Sequence, residues 1–340
     1  MKKITLKDIA SEFKVSISTV SKAINDSHEI SLPVKLKIQK YAKEKNYKPN
    51  KLALNLLNKS TRTIGVVVPN ILNYFFVQVL YGIAKIANEN GYNIISCISD
   101  ESFEKESKTL EFLDSGTVDG LIVSLAEETQ IQEKIISLKN IAQNQIPFVL
   151  FDRVSDLIEC DKVVVDDFEA GYKTTKHFIA IGCKNIAFVS PISKSSVGKL
   201  RFEGYKKALQ EHGYVYDPKL VVNFNSKDDL ELLMSFLLNY KPIDGIMGLD
   251  EITAVKILHI VKSRGYTVPA DISIIGFTNG QLSEFVTPAL TTVSQHGKYI
   301  GESAAKLLIR RIEHSGETLP FKTKVVKTSL LIRDSSKKLE

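Results

Sequence analysis

The sequence predicts two fold classes in one chain: an all-α helix-turn-helix head at the N-terminus and an α/β body of two doubly wound parallel-sheet lobes. Three observations carry this. Residues 5–25, TLKDIASEFKVSISTVSKAIN, read as two short helices, each with an apolar stripe, around a tight turn. Beyond residue 60, short apolar runs alternate with amphipathic stretches, the pattern of parallel strands covered by helices on both faces. Charge is also split. Residues 1–62 hold 14 Lys/Arg and 5 Asp/Glu, a net +9, whereas the remainder holds 31 and 34, a net −3. A basic head on a slightly acidic body is the electrostatic footprint of a nucleic-acid reader.

The bulk numbers bound the rest. A chain of 340 residues has the length of two or three domains, and 44% hydrophobic with 25% charged residues is ordinary globular composition. No apolar run approaches the ~18 residues of a membrane span. MKKITLKDIA has no apolar signal core, so a cytoplasmic location is expected. Cys97, Cys160 and Cys183 lie far apart within or beside apolar segments, which favours buried reduced thiols over a disulfide or metal site. The six histidines show no ligand spacing, so no metal and no cofactor are expected. An enzyme is disfavoured, because G-x-x-x-x-G-K-[ST], G-x-S-x-G and paired metal ligands are all missing. A solute-binding protein of a transport system, the other alternative, has no use for the head.

In the head, Thr5 can cap a helix over 6–13, and Asp8 completes a capping box. Leu6, Ile9, Ala10 and Phe13 share one face, with Ala10 small because the helices cross there. Val15 lies in the turn. Ser16 caps a second helix, about 17–25, with Val20, Ala23 and Ile24 inward. Ser31 caps a third, with Pro33 in its first turn and Leu36, Ile38, Tyr41 and Ala42 closing a small core. The proline of NYKPN ends it.

The body offers eight strand candidates: 63–69, 92–99, 118–124, 147–151, 162–166, 185–190, 244–249 and 272–277. So many strands in one body suit two lobes better than one sheet. The stretch 74–90, YFFVQVLYGIAKIANEN, reads as a helix with more apolar positions than one buried stripe needs. That excess suggests a partner surface, with a fully buried helix as the alternative.

TLKDIA, VSISTVSKAIN and NYKPN, in this order, resemble the DNA-binding head of the LacI/GalR (lactose-repressor) family. Lys14 stands where the family commonly has glycine, at a turn position that often needs positive φ. The resemblance implies that the second helix reads the major groove. Lys22 is a donor for guanine or for phosphate, Ser18 for several base edges, and Ile17 either touches a thymine methyl or packs at the helix start. Thr19, Ser21, Asn25, Tyr47 and Asn50 match positions that hold phosphates, and the caps Thr5 and Ser16 join them as DNA-binding candidates. Residues 50–58 match a hinge helix that orders on DNA, with Leu56 at the minor-groove wedge. Leu54 and Leu57 depart from the polar residues common there.

The resemblance extends over RTIGVVVPN, VDGLIVS, FDRV, VVVDDFEAG, GYTVPADISIIGF, TPALTTVSQ and SLLIRDS. It implies the fold of periplasmic sugar-binding proteins, two lobes with a cleft. The implied domains are 1–48 (head), 49–60 (hinge) and 61–340 (body). One lobe comprises about 61–160 and 292–322, the other about 162–288 and 323–336. Crossings fall near 158–162, 288–293 and 320–324.

Ligands of such folds bind past the C-terminal strand ends. The candidates are Asn70, Asn73, Phe75, Phe76, Asp152, Arg153, Ser195, Ser196, Arg201, Asp250, Thr278 and Asn279. Phe75 and Phe76 are pocket aromatics or core, and Asp152-Arg153 holds a ligand or forms an ion pair. Thr278 and Leu249 depart from the aspartate and asparagine common in the family. The implied protein is a homodimeric regulator of transcription, a repressor before an activator. It reads a palindromic DNA operator and responds to a small effector, a saccharide or derivative, with room for an acidic sugar.

Overall fold

The computed structural model describes residues 4–47, 60–225 and 227–339. Asn50, Leu56 and the expected hinge up to residue 59 lie outside them. The chain divides into two compact units, Met1–Thr61 and Arg62–Glu340.

Among the described residues the first unit has three helices: α1 (Leu6–Phe13), α2 (Ile17–Ile24) and α3 (Leu32–Glu44). Local signals explain all three. The Thr5 side chain accepts from the Asp8 amide while Thr5 N–H donates to Asp8 Oδ2 at 2.8 Å, a reciprocal capping box. Lys14 ends α1 at φ 51°, a left-handed turn that glycine adopts without strain. Ser16 Oγ accepts from the Thr19 amide at 3.1 Å and starts α2. The core is Ile9, Ala10, Val20, Ala23, Ile38 and Ala42. Two expectations fail on α3. Ser31 precedes it without a side-chain cap bond. Leu36 is 56% exposed. Two residues advance a helix by about 200°, so Leu36 and Ile38 point away from each other, and Ile38 takes the core.

The second unit holds two six-stranded sheets. The first-lobe strands are β1 (Thr63–Val68), β2 (Asn93–Ile98), β3 (Gly120–Val123), β4 (Phe148–Phe151), β5 (Asp161–Val165) and β11 (Thr323–Val326), in spatial order β11-β5-β4-β3-β1-β2. All pair in parallel. The second-lobe strands are β6 (Ile186–Ser190), β7 (Val221–Asn223), β8 (Gly245–Gly248), β9 (Ser273–Phe277), β10 (Thr291–Ser294) and β12 (Ser329–Leu331), in order β12-β10-β9-β8-β6-β7. Only β12 runs antiparallel to its neighbour.

Helices cover both faces. The first lobe carries α4 (Tyr74–Glu89), α5 (Phe103–Asp114), α6 (Glu127–Gln132) and α7 (Ile136–Gln143). The second carries α8 (Asp167–Ala180), α9 (Ser196–Glu211), α10 (Leu230–Tyr240), α11 (Glu251–Ser263) and α12 (Leu282–Phe285). Last, α13 (Gly297–Glu313) returns to pack on α4 and β3–β5. An inner strand such as β1 therefore buries alternate residues in different cores: Val66 and Val68 pack with Val79, Ile83 and Leu308, whereas Val67 packs with Leu110, Leu113 and Ile141. This is why the strands read as continuous apolar runs. The cysteines are free, Cys160 and Cys183 buried and Cys97 partly so.

The lobes exchange chain later than expected, after β5, after β10 and after β11. KVVVD belongs to the first lobe, because Leu150 pairs with Lys162 and Phe151 with Val163. TTV is a strand of the second lobe beside β9, and the crossing follows it at 295–296. A polar loop or a proline joins strands of one sheet as readily as strands of two, so neither marks a crossing.

The apolar excess of α4 is largely taken up within the chain. A Cβ on Gly82 would lie 2.1 Å from Lys298 O, and one on Gly301 2.0 Å from Val79 O. Glycine at both positions brings α4 and α13 into backbone contact. Val77 and Tyr81 stay exposed.

Candidate recognition helix and inter-lobe cleft

In the first unit α2 presents Ile17, Ser18, Lys22 and Asn25 to solvent, while Val20 and Ala23 are buried. Ile17 is 48% exposed and outside the core, which removes helix-start packing as its role. Ser16 Oγ bonds Ser18 Oγ at 2.7 Å and Thr19 Oγ1 at 2.8 Å, so these hydroxyls form one cluster at the helix start. Ser21 is half-buried behind the exposed face. Lys22 forms an exposed ion pair with Glu29. Thr5 is engaged in its cap. Tyr47 packs against the core, and burial raises its phenol pKa.

In the second unit the cleft lies at the C-terminal strand ends. Arg201, on α9, is its best-anchored charge. Its Nε donates to Asp167 Oδ1 at 2.7 Å, its Nη1 to Leu249 O at 3.0 Å, and its guanidinium lies 4.3 Å from the centre of the Phe277 ring. Both Arg201 and Asp167 are buried. Asp152, just past β4, is buried at φ 57°. Burial pushes its carboxyl up to about 7; the nearby Asp167 adds to the rise, and Arg153 and Arg201 oppose it. Arg153 Nη1 donates to Glu101 Oε2 at 2.5 Å, and the same oxygen accepts from the Glu127 amide at 2.8 Å. Glu106, buried beneath α6, accepts from the Ala126 amide at 2.5 Å, yet burial still pushes it up to about 7.

Several buried polar atoms here make no hydrogen bond: Ser99 Oγ after β2, Ser124 Oγ after β3, and Asp152 Oδ1 and Arg153 Nε after β4. Buried polar groups are ordinarily paired. A row of unsatisfied ones along the strand ends of one lobe is what a hydrogen-bonding ligand would complete. Thr278, past β9 in the other lobe, sits at φ 72°, a conformation unfavourable for a β-branched residue, and its Oγ1 donates to Gln295 at 2.8 Å. Backbone held in such regions costs of order 1–3 kcal/mol and clusters at functional sites.

Other expected ligand residues are committed to local structure. Asn70 Oδ1 accepts from the Leu72 amide and Asn73 caps α4. Ser195 caps α9 through Gly198 N–H. Asp250 caps α11, taking Thr253 N–H at 2.8 Å and Thr253 Oγ1 at 2.7 Å. Asn279 Oδ1 accepts from Arg333 Nη2 at 2.7 Å. Phe75 and Phe76 are core residues, although the Phe76 ring centre lies 6.0 Å from the Arg153 guanidinium. Ser196 pairs with Gln130. Sequence reasoning missed Ser99, Glu101, Ser124, Gln130 and Asp167. Ser99 and Ser124 stand one residue past their strands, so the strand-end rule reaches them. Asp167 stands two residues past β5, where the same rule reaches it in either lobe.

Among the described residues no group of His, Cys, Asp and Glu could hold a metal, and no helix is long and apolar enough to cross a membrane.

Residues 5–50 match the family described as bacterial regulatory proteins, lacI family, and residues 175–336 match the periplasmic binding protein-like domain. The HTH-type transcriptional regulator DegA of Bacillus subtilis is 33% identical over 301 residues, 88% of each chain. The lac repressor dimer bound to operator and the anti-inducer ONPF superposes with a TM-score of 0.84 at 22% identity, over 98% of this chain and 99% of that one. A regulator from Enterococcus faecium with bound ribose superposes at 0.71 and 26% identity, covering 82% of this chain and all of the other.

Proposed function

The chain belongs to the lacI family of bacterial regulatory proteins, and on that premise, which makes it a DNA-binding transcriptional regulator and not an enzyme, we propose that it is a repressor whose grip on DNA is set by a neutral saccharide in the inter-lobe cleft. The observation that carries the ligand reading is the row of unsatisfied buried atoms at Ser99, Ser124, Asp152 and Arg153. Hydroxyls both donate and accept, so a polyol suits a row that mixes hydroxyl, carboxylate and guanidinium groups. The E. faecium relative holds ribose.

The acid balance favours a neutral sugar over an acidic one. Asp152, Asp167, Glu101 and Glu106 stand against Arg153 and Arg201, and both arginines already have carboxylate partners. A further anion would find both guanidinium charges already met by carboxylates.

On this reading residues 1–48 form the DNA-binding head, 49–60 the hinge and 61–340 the effector and dimerisation body. Two heads in a homodimer read a palindromic operator. Exposed apolar residues support the dimer: Val77 and Tyr81 on α4 of the first lobe, and Ile252, Leu282 and Phe285 on α11 and α12 of the second, which pack on each other.

The head reading has its own test. Exchanging Lys22 for alanine removes an exposed cation from α2 whose own pair with Glu29 is a surface contact of little energy. Lys22→Ala should weaken operator binding by about 1–3 kcal/mol while leaving saccharide binding unchanged. Fluorescence anisotropy on selected operator DNA at one fixed salt concentration measures it. Unchanged operator affinity removes Lys22 from the recognition surface.

A further inference from the structure

Gln130 lies on α6 in the first lobe, and Ser196 opens α9 in the second. The first amides of a helix have no partner within it. At α9 the Ser195 hydroxyl takes the Gly198 N–H, and the Ser196 N–H is taken across the cleft by Gln130 Oε1 at 3.0 Å. The other end of that side chain completes the bridge. Gln130 Nε2 donates to Ser196 Oγ at 2.9 Å and to Val154 O, in its own lobe, at 2.9 Å. One amide therefore makes two bonds between the lobes and one that fixes its own orientation. Elsewhere Gln78 Nε2 on α4 donates to Asn279 O at 3.0 Å, a single inter-lobe bond.

The helix that Gln130 holds by its first residue also carries Arg201. Arg201 meets Asp167 and acts electrostatically on Asp152. Arg201, Asp167, Leu249 and Phe277 all belong to the second lobe, so the position of the start of α9 against the first lobe sets how that cluster faces Asp152 and Arg153.

We propose that Gln130 is a positioning residue for the effector site, an inter-lobe latch that holds α9 and Arg201 in the closed arrangement before any effector arrives. The proposal rests on the cleft being the effector site. A ligand that needs the closed cleft binds with an apparent affinity scaled by the closed fraction, so the latch sets affinity without touching the ligand. The chemistry requires an amide. Glutamate keeps an acceptor for the Ser196 N–H but loses both donations, to Ser196 Oγ and to Val154 O, and adds charge beside Glu101 and Glu127. Alanine loses all three bonds.

Hydrogen exchange of the effector-free full-length chain tests this, comparing wild type with Gln130→Ala and Gln130→Glu. Gln130→Ala should raise exchange at 195–199 and, in concert, at the facing strand ends 99–102, 124–128 and 150–155. The expected gain is roughly tenfold, the effect of losing two modest hydrogen bonds. Gln130→Glu should fall between. A gain confined to 195–199 would make Gln130 only a cap for α9 and overturn the latch; no gain anywhere would do the same. The measurement uses no effector, so a cleft that takes another ligand class leaves its result intact.

Discussion

Arg201→Met is expected to destabilise the body by about 3–5 kcal/mol, the cost of breaking a buried ion pair by removing one partner. Asp167 is 2% exposed, and its carboxylate takes the Arg201 Nε–H at 2.7 Å. Without that guanidinium Asp167 stays buried beside Asp152, and the two acids repel. Leu249 O loses the donor at 3.0 Å as well. The methionine side chain keeps the apolar contact with Phe277, so the loss reports charge and hydrogen bonding rather than packing. Urea unfolding measures it. A second substitution separates pair from charge: Arg201→Met with Asp167→Leu should recover most of the stability, because a buried pair replaced by apolar groups is often neutral. Both variants should lose the effector response, since neither assembles the cleft charges. A stable Arg201→Met that still responds to effector would contradict the geometry of the cleft.

Asp152→Asn should separate stability from binding in the opposite sense. The folded carboxyl is pushed from 3.8 up to about 7, chiefly by burial. The folded state therefore holds this proton more tightly than the unfolded one. The resulting stability is fully present below about pH 4 and is lost as pH rises through about 7. Glu106, pushed up to about 7 also by burial, acts in the same window with the same sign. These carboxyls should thus cost the effector-free body stability between pH 4 and 7, while the buried His177, whose pKa burial lowers, acts with the opposite sign. Burial raises the Asp167 and Glu127 carboxyls in the same direction, so Asp152→Asn removes one of several contributions, flattens the slope, and is at least as stable as wild type near neutral pH. Its saccharide affinity should nevertheless fall, roughly tenfold to a hundredfold, because hydrogen bonds to a charged acceptor are the stronger ones. Unfolding at pH 5 and pH 7.5, with calorimetric titration of the saccharide that alters DNA binding, reads both effects. If the substitution destabilises equally at both pH values, Asp152 is not a strained acid. If it leaves affinity unchanged, Asp152 does not touch the effector.

The head was legible because its signals are local. Thr5 and Asp8 stand three residues apart and build their box from those two side chains. Lys14 had to adopt the left-handed turn that glycine usually supplies, and it does so at φ 51°. Leu36 was misread because its apolar character was counted without its phase. In the body, eight strands announce themselves as apolar runs, most of them because they are buried on both faces; β2, at the sheet edge, is apolar but partly exposed. The short β7, β11 and β12 are partly exposed and carry no such signature. Lobe membership of β5 was illegible because it depends on which strand KVVVD pairs with, not on its own residues.

The cleft was half legible for a related reason. The first few residues after a parallel strand stand both where ligands bind and where the next helix needs a cap. Asn73, Ser195 and Asp250 occupy such positions and cap their helices. Asp152 occupies one too, with no helix following directly, and its Oδ1 is left without a partner. Composition does not distinguish these fates. Only the path of the chain after each strand does.

In the regulator proposed here, one ligand in the cleft changes the grip of the head on DNA. The direct measurement is fluorescence anisotropy of the full-length protein on operator DNA at one fixed salt concentration, with and without a panel of neutral and acidic saccharides. Phosphate contacts make affinity steeply salt-dependent, which is why salt is held constant. The result expected is a shift in operator affinity with a neutral saccharide, matched by an equal change in saccharide affinity when operator is present, as linkage requires. A saccharide that binds the body while operator affinity stays the same would contradict it.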